Sequence, residues 1–442
     1  MLFILKLNRI IVLDEDYGDL INDMNLALLE SGLLFALTLP VVFGYRTLPV
    51  VGTPYWYFGL FFLINVLNIA LNYFNWRQKP VLINWVRWLF VFTILSMSLG
   101  AVMGTAITDR GRTAPGQVYG THDIVLQLES ALQFLSQGRN PYAESYFNTP
   151  LADWHYEEMG VKVTNPALYH FVMPPWYLLF SYPFFFLSTR TLGFFDGRMP
   201  IVFLIVCLVI LLAAWFWRKP YGRLLTMLLI LNPAAVAYTI EGRSDIFVLF
   251  FLLLTIYLLT RKSLLLASFV MGLAAVSKQT AWFFIPFFLA GIYTISRKRI
   301  SSVVMAVIII GVTTFILSSP FIRWNGQAFF NSTVFYLSGN TVNSYPVSGY
   351  GLGMILYELG VIKDLHAKYP FIIWQLAVGM PTIVVGIYLL LKKFTISRLF
   401  FVYATILFGI WYMSRYFNNS HAAFISSLYI LALILAWDKA ES

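Results

Sequence analysis

Apolar runs of about 20 residues, each long enough to cross roughly 30 Å of hydrocarbon, recur along this chain from one end to the other. That feature removes almost every soluble architecture, because a chain that is 59% hydrophobic and only 11% charged has too little polar surface to cover its apolar side chains. The runs fall near residues 24–45, 56–73, 85–108, 200–217, 224–240, 245–260, 264–276, 280–295, 302–319, 371–391, 400–414 and 422–437. Two more, 176–187 and 350–362, are short, one interrupted by Pro183 and the other rich in glycine, and each reads equally as a crossing or as a re-entrant half-helix. The expectation is an all-α, polytopic bundle of about 12–14 transmembrane helices.

The 30 basic residues outnumber the 20 acidic ones by 10, yet this excess does not point to nucleic acid. Bases gather at run ends: Arg77 with Lys79, Arg218 with Lys219 and Arg223, Arg261 with Lys262, Arg297 to Arg299, and Lys392 with Lys393. Such clusters mark loops held in the cytoplasm. They send the segment after Thr108 to the exterior of a plasma-membrane protein, where 109–174 forms a loop of roughly 65 residues, far beyond an ordinary connection. The stretches 241–245, 276–280, 321–350 and 415–421 fall on the same face. Cys207 is the single cysteine, so no internal disulfide can form. The N-terminal stretch has too short an apolar core, followed by acids, to read as a cleaved signal peptide. No linker or repeat divides the chain, which reads as one membrane domain: two leading spans in 1–83, a core in 84–320 containing the exterior loop, and C-terminal spans in 321–442.

Within the exterior loop, Ile124, Leu128, Leu132 and Leu135 recur at helical spacing, with Gln127, Glu129, Gln133 and Gln137 on the other faces and Gly138 as the stop. This is an amphipathic surface helix, lying along the membrane with its apolar stripe against lipid or neighbouring helices. His122 and Asp123 stand at its N-terminal end, where the helix dipole favours an ionised carboxylate. An Asp in this place is ordinarily a cap.

The company it keeps is more specific. The helix ends in "GRNPY" (Gly138 to Tyr142), the chain re-enters at "HFVMPPWYLLF" (His170 to Phe180), and later come "TIEGRSDIFVLFFLLL" (Thr239 to Leu254) and "GLAAVSKQTAWFFIPFFL" (Gly272 to Leu289). An acid shortly after a span, an amphipathic helix, a Gly-x-x-Pro-Tyr turn and a proline-rich re-entry resemble the GT-C membrane glycosyltransferases. Within them the pattern is similar to bacterial polyprenol-phosphate-mannose-dependent mannosyltransferases and to the first mannosyltransferase of glycolipid anchors. The resemblance covers 85–299, about half the chain. It implies an inverting transfer of a sugar, mannose foremost, from a polyprenyl-phosphate donor to a lipid-linked or glycan acceptor at the exterior face, with membrane lipid and no nucleic acid as surroundings. Asp123 is then the general base, with Asp109 as the fallback. His122, Tyr142, Gln279, Tyr350 and His421 are candidates for contact with sugar or acceptor. The anchor enzymes carry two acids where this chain has His122 beside a lone Asp123, a departure that bears on the optional divalent metal, Mg²⁺ or Mn²⁺, more than on the base. No metal ligands are assigned.

A donor phosphate needs cations where its headgroup sits, and Arg243, Lys278, Arg323 and Arg415 are the bases placed on the exterior side, where positive-inside bias does not account for them. The plain alternative for each is an interfacial anchor. Lys278 interrupts an otherwise apolar run and needs an anionic partner, a phosphate or Asp245. Tyr345, Tyr350, Tyr412 and Tyr416 serve equally as sugar-stacking rings or as an interfacial aromatic belt. A transporter or flippase for lipid-linked sugars would show two matching halves, which are lacking here. An O-antigen polymerase or ligase carries its large loop late in the chain, whereas this one follows the third span.

Overall fold

The computed structural model describes residues 15–44, 53–73, 80–112, 120–154, 156–158, 160–219, 221–341 and 343–437. Residues 1–14, and Arg77 and Lys79 of the orientation argument, lie outside them. The fold is all-α and polytopic. In chain order the helices are α1 (Glu15–Gly44), α2 (Tyr55–Ala70), α3 (Pro80–Leu95), α4 (Ala101–Arg112), α5 (Asp123–Ser136), α6 (Pro175–Thr191), α7 (Met199–Phe216), α8 (Gly222–Ile230), α9 (Val236–Glu241), α10 (Asp245–Thr260), α11 (Leu264–Ala275), α12 (Ile285–Ile295), α13 (Ile300–Phe330), α14 (Leu352–Glu358), α15 (Phe371–Lys392), α16 (Ile396–Tyr412) and α17 (Asn419–Leu435). Among the described residues six helical stretches are long and apolar enough to cross a bilayer: Leu26–Gly44, Tyr55–Tyr73, Val81–Arg112, Met199–Phe216, Ile300–Ser338 and Phe371–Lys392. Shorter apolar helices at Asp245–Thr260, Leu264–Ala275, Gln279–Ile295, Ile396–Tyr412 and Asn419–Leu435 account for other expected runs.

Local chemistry explains where the helices depart from the periodic reading. Helices α3 and α4 are one continuous rod through a π-turn at Ser96–Gly100, where Ser98 Oγ donates back to Ile94 O at 2.7 Å. The expected span 224–240 is two helices, α8 and α9, because Pro233 has no N–H to continue the ladder. Helix α13 runs well past its expected end, so 321–350 is not simply a loop. It breaks its backbone at Asn325 (φ −160°, ψ 92°), whose Oδ1 accepts from Ala328 N at 3.0 Å and restarts the helix as a cap. The run 350–362 holds only the seven residues of α14, about 10 Å of helix, too short to cross. The run 176–187 lies within α6, which has 17 residues and encloses Pro183.

The chain divides into two compact units. One comprises the described residues of Met1–Gly104 and Leu212–Leu231. It holds a buried polar seam: Arg223 Nε donates to Glu30 Oε2 at 2.9 Å and Arg223 Nη1 to Asn84 Oδ1 at 2.5 Å, while Asn72 Nδ2 donates to Ser31 Oγ at 3.0 Å. Arg223 is therefore an internal partner for Glu30 and not a loop base. Trp217 stacks on Trp88 with centroids 5.8 Å apart, beside this seam.

The other unit comprises Thr105–Leu211 and Asn232–Ser442. Its helical hairpins α10/α11 and α16/α17 pack along their lengths, as does α11 against α13. Two short strand pairs join its loops. An antiparallel pair links β1 (Glu157–Glu158) with β2 (Val161–Lys162). A parallel pair sets β3 (Ser348–Gly349) beside β4 (Tyr416–Phe417), bringing the loop before α14 to the turn before α17.

The Glu30–Arg223 pair makes a stability prediction. Removing one partner strands a buried charge at a cost of about 3–5 kcal/mol, whereas replacing both leaves none. Arg223→Met should lower the melting temperature in detergent markedly, and Glu30→Gln/Arg223→Met should recover much of the loss. A double variant no more stable than the single would show that the pair is not the source of the effect.

Candidate functional site

The amphipathic helix forms as α5, with Gly138 in the left-handed region (φ 72°) just beyond it. Its surroundings differ from expectation. Val125, Leu128, Ala131 and Leu132 are buried in protein, and so are Gln127 and much of Glu129 on the faces expected to be polar and wet. The N-cap is His122, and Asp123 is the first helical residue. His122 Nδ1 lies 2.6 Å from Asp123 Oδ1 and 3.3 Å from Ile124 N. One ring nitrogen cannot donate to a carboxylate and accept from an amide together, and the shorter contact places the proton on Nδ1, directed at Asp123. Burial pushes the Asp123 carboxyl up, but His122, Arg243 and Asn165 more than offset this, and the carboxyl sits below the usual carboxylate value of 3.8. Asp123 is thus an ionised carboxylate, 19% exposed.

What fixes this end of α5 is a chain of four charged side chains. Arg198 donates through Nε to Asp196 Oδ1 (2.9 Å) and through Nη2 to Asp196 Oδ2 (2.8 Å). Arg110 donates to the same Oδ2 (3.0 Å) and grips both oxygens of Glu129 (2.5 and 2.6 Å), and Gly197 N also donates to Glu129 (2.8 Å). Arg198 Nη1 reaches Gly120 O (3.3 Å) and Ile240 O (3.5 Å), and Nη2 reaches Ala106 O (3.2 Å). The network therefore ties α4, the turn before His122, α5 and the end of α9 to one point. His122 N closes the junction by donating to Glu241 O at 2.8 Å.

Across that junction runs Glu241-Gly242-Arg243-Ser244-Asp245. Gly242 caps α9 at φ 93°, and a Cβ there would run into Val125 and Arg198, so only glycine fits. Arg243 lies over the Tyr238 ring, 4.4 Å from its centroid, and comes no closer than 4.0 Å to Glu241. Its Nε is buried and has no hydrogen-bond partner among the described residues. Lys278, by contrast, is paired with Asp245 at 2.5 Å. His421 Nδ1 accepts from Asn418 N at 3.1 Å, which leaves the ring proton on Nε2 as a donor.

These groups line one cavity of about 250 Å³ with His122, Asp123, Arg243, Asp245, Lys278, Gln279 and His421 in its wall. That is slightly below the usual volume of ligand pockets, ~300–1,000 Å³. Trp154, Tyr156, Tyr336, Tyr345 and Tyr416 add an aromatic side, Tyr345 and Tyr416 with centroids 4.6 Å apart. Burial, then neighbouring Tyr345 and Glu158, push the Tyr156 hydroxyl up, and burial and Asp123 do the same to Tyr345, so both rings keep their protons.

Five expected site residues lie elsewhere. Asp109 is exposed on the last turn of α4, and Arg323 is exposed on α13. Tyr350 is 68% exposed and outside the cavity wall, its N donating to Phe417 O at 2.7 Å. Tyr142 is buried among Phe171, Phe321 and Phe329, its hydroxyl donating to Met173 O at 2.9 Å. Arg415 directs its guanidinium at the carbonyls of Tyr345, Ala367 (2.9 Å) and Leu365 (3.1 Å), which makes it a brace for the Tyr345 loop, outside the cavity wall. Tyr412 is also absent from the cavity wall. Sequence reading passed over Gln127, Trp154, Tyr156, His170 and Tyr336, which line the cavity, and Arg110, Asp196 and Arg198, which set its frame. The "DGR" of Asp196 to Arg198, charged residues directly before a span and outside any cytoplasmic cluster, was the available signal for the frame.

Among the described residues no group of three or more His, Cys, Asp or Glu could hold a metal ion. Asp123 is turned to His122 and Asp245 to Lys278, so the residues present do not fit a divalent cation, and no step below is routed through one.

Residues 171–437 match the model of glycosyltransferase family 87. The match covers the re-entry, the Arg243 and Lys278 segments and the C-terminal helices, and begins after α5. No curated protein and no solved structure matches the chain.

Asp196 yields a pH-dependent prediction. Burial pushes its carboxyl up, but the hydrogen bonds and charge of Arg198, then Arg110, more than offset this and hold it below its usual 3.8. A depressed carboxylate contributes stability above the unfolded value and loses it as pH falls through the folded one. Asp196→Asn should therefore lower the melting temperature at neutral pH, by about 3–5 kcal/mol of lost stability, and flatten the acid loss of stability seen in the parent. Matching acid profiles for the two proteins would exclude Asp196 as a source.

Proposed function

Because this chain belongs to glycosyltransferase family 87, a family of membrane glycosyltransferases, we propose that the cavity transfers a sugar from a polyprenyl-phosphate donor to a lipid-linked or glycan hydroxyl, with inversion, at the exterior face of the plasma membrane. Mannose is the sugar the sequence resemblance favours. The observation that carries the reading is that one small cavity holds an ionised carboxylate, Asp123, together with a guanidinium, Arg243, that makes no close ion pair among the described residues. Transfer between oxygens needs one group to take a proton and another to hold a departing phosphate.

In this scheme the acceptor oxygen forms a bond to the anomeric carbon as the bond from that carbon to the phosphate oxygen breaks. The electron pair leaves with the phosphate, and the acceptor proton passes to Asp123. His122, donating to the other side of the carboxylate, fixes its orientation. A carboxylate held below its usual value is a weak base, suited to a proton that moves late, after positive charge has built on the sugar. Arg243 meets the phosphate first, since it has no competing short contact to a carboxylate. Lys278 joins by sharing itself between Asp245 and the phosphate, and His421 adds its Nε2 proton. The aromatic side, with Tyr345 braced through Arg415, offers ring faces to a sugar.

The test is transfer from radiolabelled polyprenyl-phosphate sugars to extracted glycolipid acceptors. Asp123→Asn should reduce kcat by about 10²–10⁴ with little change in donor KM. Arg243→Leu should raise donor KM and lower kcat, whereas Arg323→Leu should behave as the parent. Equal transfer by the parent and Asp123→Asn would remove the carboxylate from the mechanism. Absence of transfer from every donor would remove the reading itself.

A further inference from the structure

Two glutamines in the cavity wall have their amide orientation decided by their neighbours. Gln127 Nε2 donates to Ala167 O and His170 O, both at 2.7 Å, and Gln279 Nε2 donates to Val172 O (2.9 Å) and Thr333 O (2.8 Å). All four partners are backbone carbonyls, which only accept. A flipped amide would set oxygen against oxygen, so the nitrogen of each side chain is fixed on the backbone and its oxygen is turned away. Neither Oε1 makes a hydrogen bond among the described residues, and both residues line the cavity. Gln127 sits four residues after Asp123 on α5, on the same face one turn along.

The cavity wall therefore carries two kinds of group. Arg243, Lys278 and the Nε2 proton of His421 donate. Asp123, Gln127 and Gln279 present oxygen lone pairs. We infer that Gln127 and Gln279 are specificity-determining residues whose immobile carbonyl oxygens accept hydrogen bonds from sugar hydroxyls. The inference rests on the transferase reading and adds to it: the donors hold an anion and the acceptors read a polyol. Both glutamines grip the 167–172 segment, so the oxygens are rigid, and a rigid acceptor discriminates because the wrong sugar leaves it unpaired. The same chemistry could come from the donor sugar or from the acceptor sugar.

The experiment uses the full-length protein in detergent with a short-chain polyprenyl-phosphate mannose, a glycan acceptor, and monodeoxy and deoxyfluoro analogues of each in turn. In the parent, at least one monodeoxy analogue should lose about tenfold in kcat/KM, and the donor and acceptor series identify which sugar carries that hydroxyl. Fluorine accepts but does not donate, so the matching deoxyfluoro analogue should be as poor as the deoxy one. Recovery with fluorine would mean that the hydroxyl is read by a protein donor and would overturn the inference. In Gln127→Met or Gln279→Met the penalty for that analogue should disappear while the parent substrate falls to the analogue's level. A variant that slows all substrates alike and keeps the penalty has lost only its grip on the 167–172 backbone, which also overturns it. Should a Met variant not fold, the deoxyfluoro comparison in the parent decides alone. Transfer that ignores every hydroxyl sinks this inference and leaves the transferase reading intact, whereas no transfer from any donor sinks both.

Discussion

The buried pairing of Arg198 with Asp196, extended through Arg110 to Glu129, is the constraint on which the site depends. Two arginines and two carboxylates taken out of water are costly unless their hydrogen bonds are met, and here nearly every one is: Asp196 accepts from both arginines, Glu129 from Arg110 and a backbone amide, and Arg198 fills its remaining donors with carbonyls. Those carbonyls belong to three separate segments, so satisfying the charges also fixes where the segments meet. The place where they meet is the N-terminal end of α5 against the end of α9, and the two residues that project from it are Asp123 and Arg243. A network of this kind contributes less through net stability than through allowing one arrangement only.

The cavity shows a similar division of labour among its charges. Lys278 is neutralised by Asp245, Asp123 is held by His122, and the Arg243 guanidinium keeps a donor unmet beside an aromatic ring. Paired charges can sit in a partly buried wall at modest cost, and an unmet donor is where an incoming anion gains most. Membership of glycosyltransferase family 87 and this charge layout point the same way, although the family match begins after α5 and leaves Asp123 to the geometry. The braces are as informative as the cavity groups. Arg415 looked like a phosphate ligand by composition and position, but three carbonyls absorb its guanidinium and make it the anchor of the Tyr345 loop.

The same principle operates in the first unit. Glu30 is an acid within the apolar run 24–45, and Arg223 reads in the sequence as one member of a basic cluster. Their pairing explains both, and it withdraws Arg223 from the set of charges that report topology. Charges in lipid-facing sequence thus divide into those that reach water and those that reach each other, and linear position alone does not sort them.

By itself the sequence determined the membrane-helical class, because the length and polarity of apolar runs are one-dimensional properties that a bilayer reads directly. It also determined the α5 helix with its Gly138 stop, and the pairing of Lys278 with an anion, since a charge inside an apolar run has to be answered. Asp123, Arg243, Lys278, Gln279, His122 and His421 were legible for a related reason: they are polar groups next to apolar runs on one side of the predicted membrane, and the fold gathers them in one cavity wall. Tertiary structure decided the rest. Only the fold shows that Gln127 and Glu129 face inward, that Asp196 and Arg198 anchor the frame, that α13 runs on through Asn325, and that Tyr142 and Arg415 are packed away from the cavity. These depend on which donor meets which acceptor across long separations in the chain, and a hydrogen bond of 3 Å leaves no trace in the spacing of residues along a sequence.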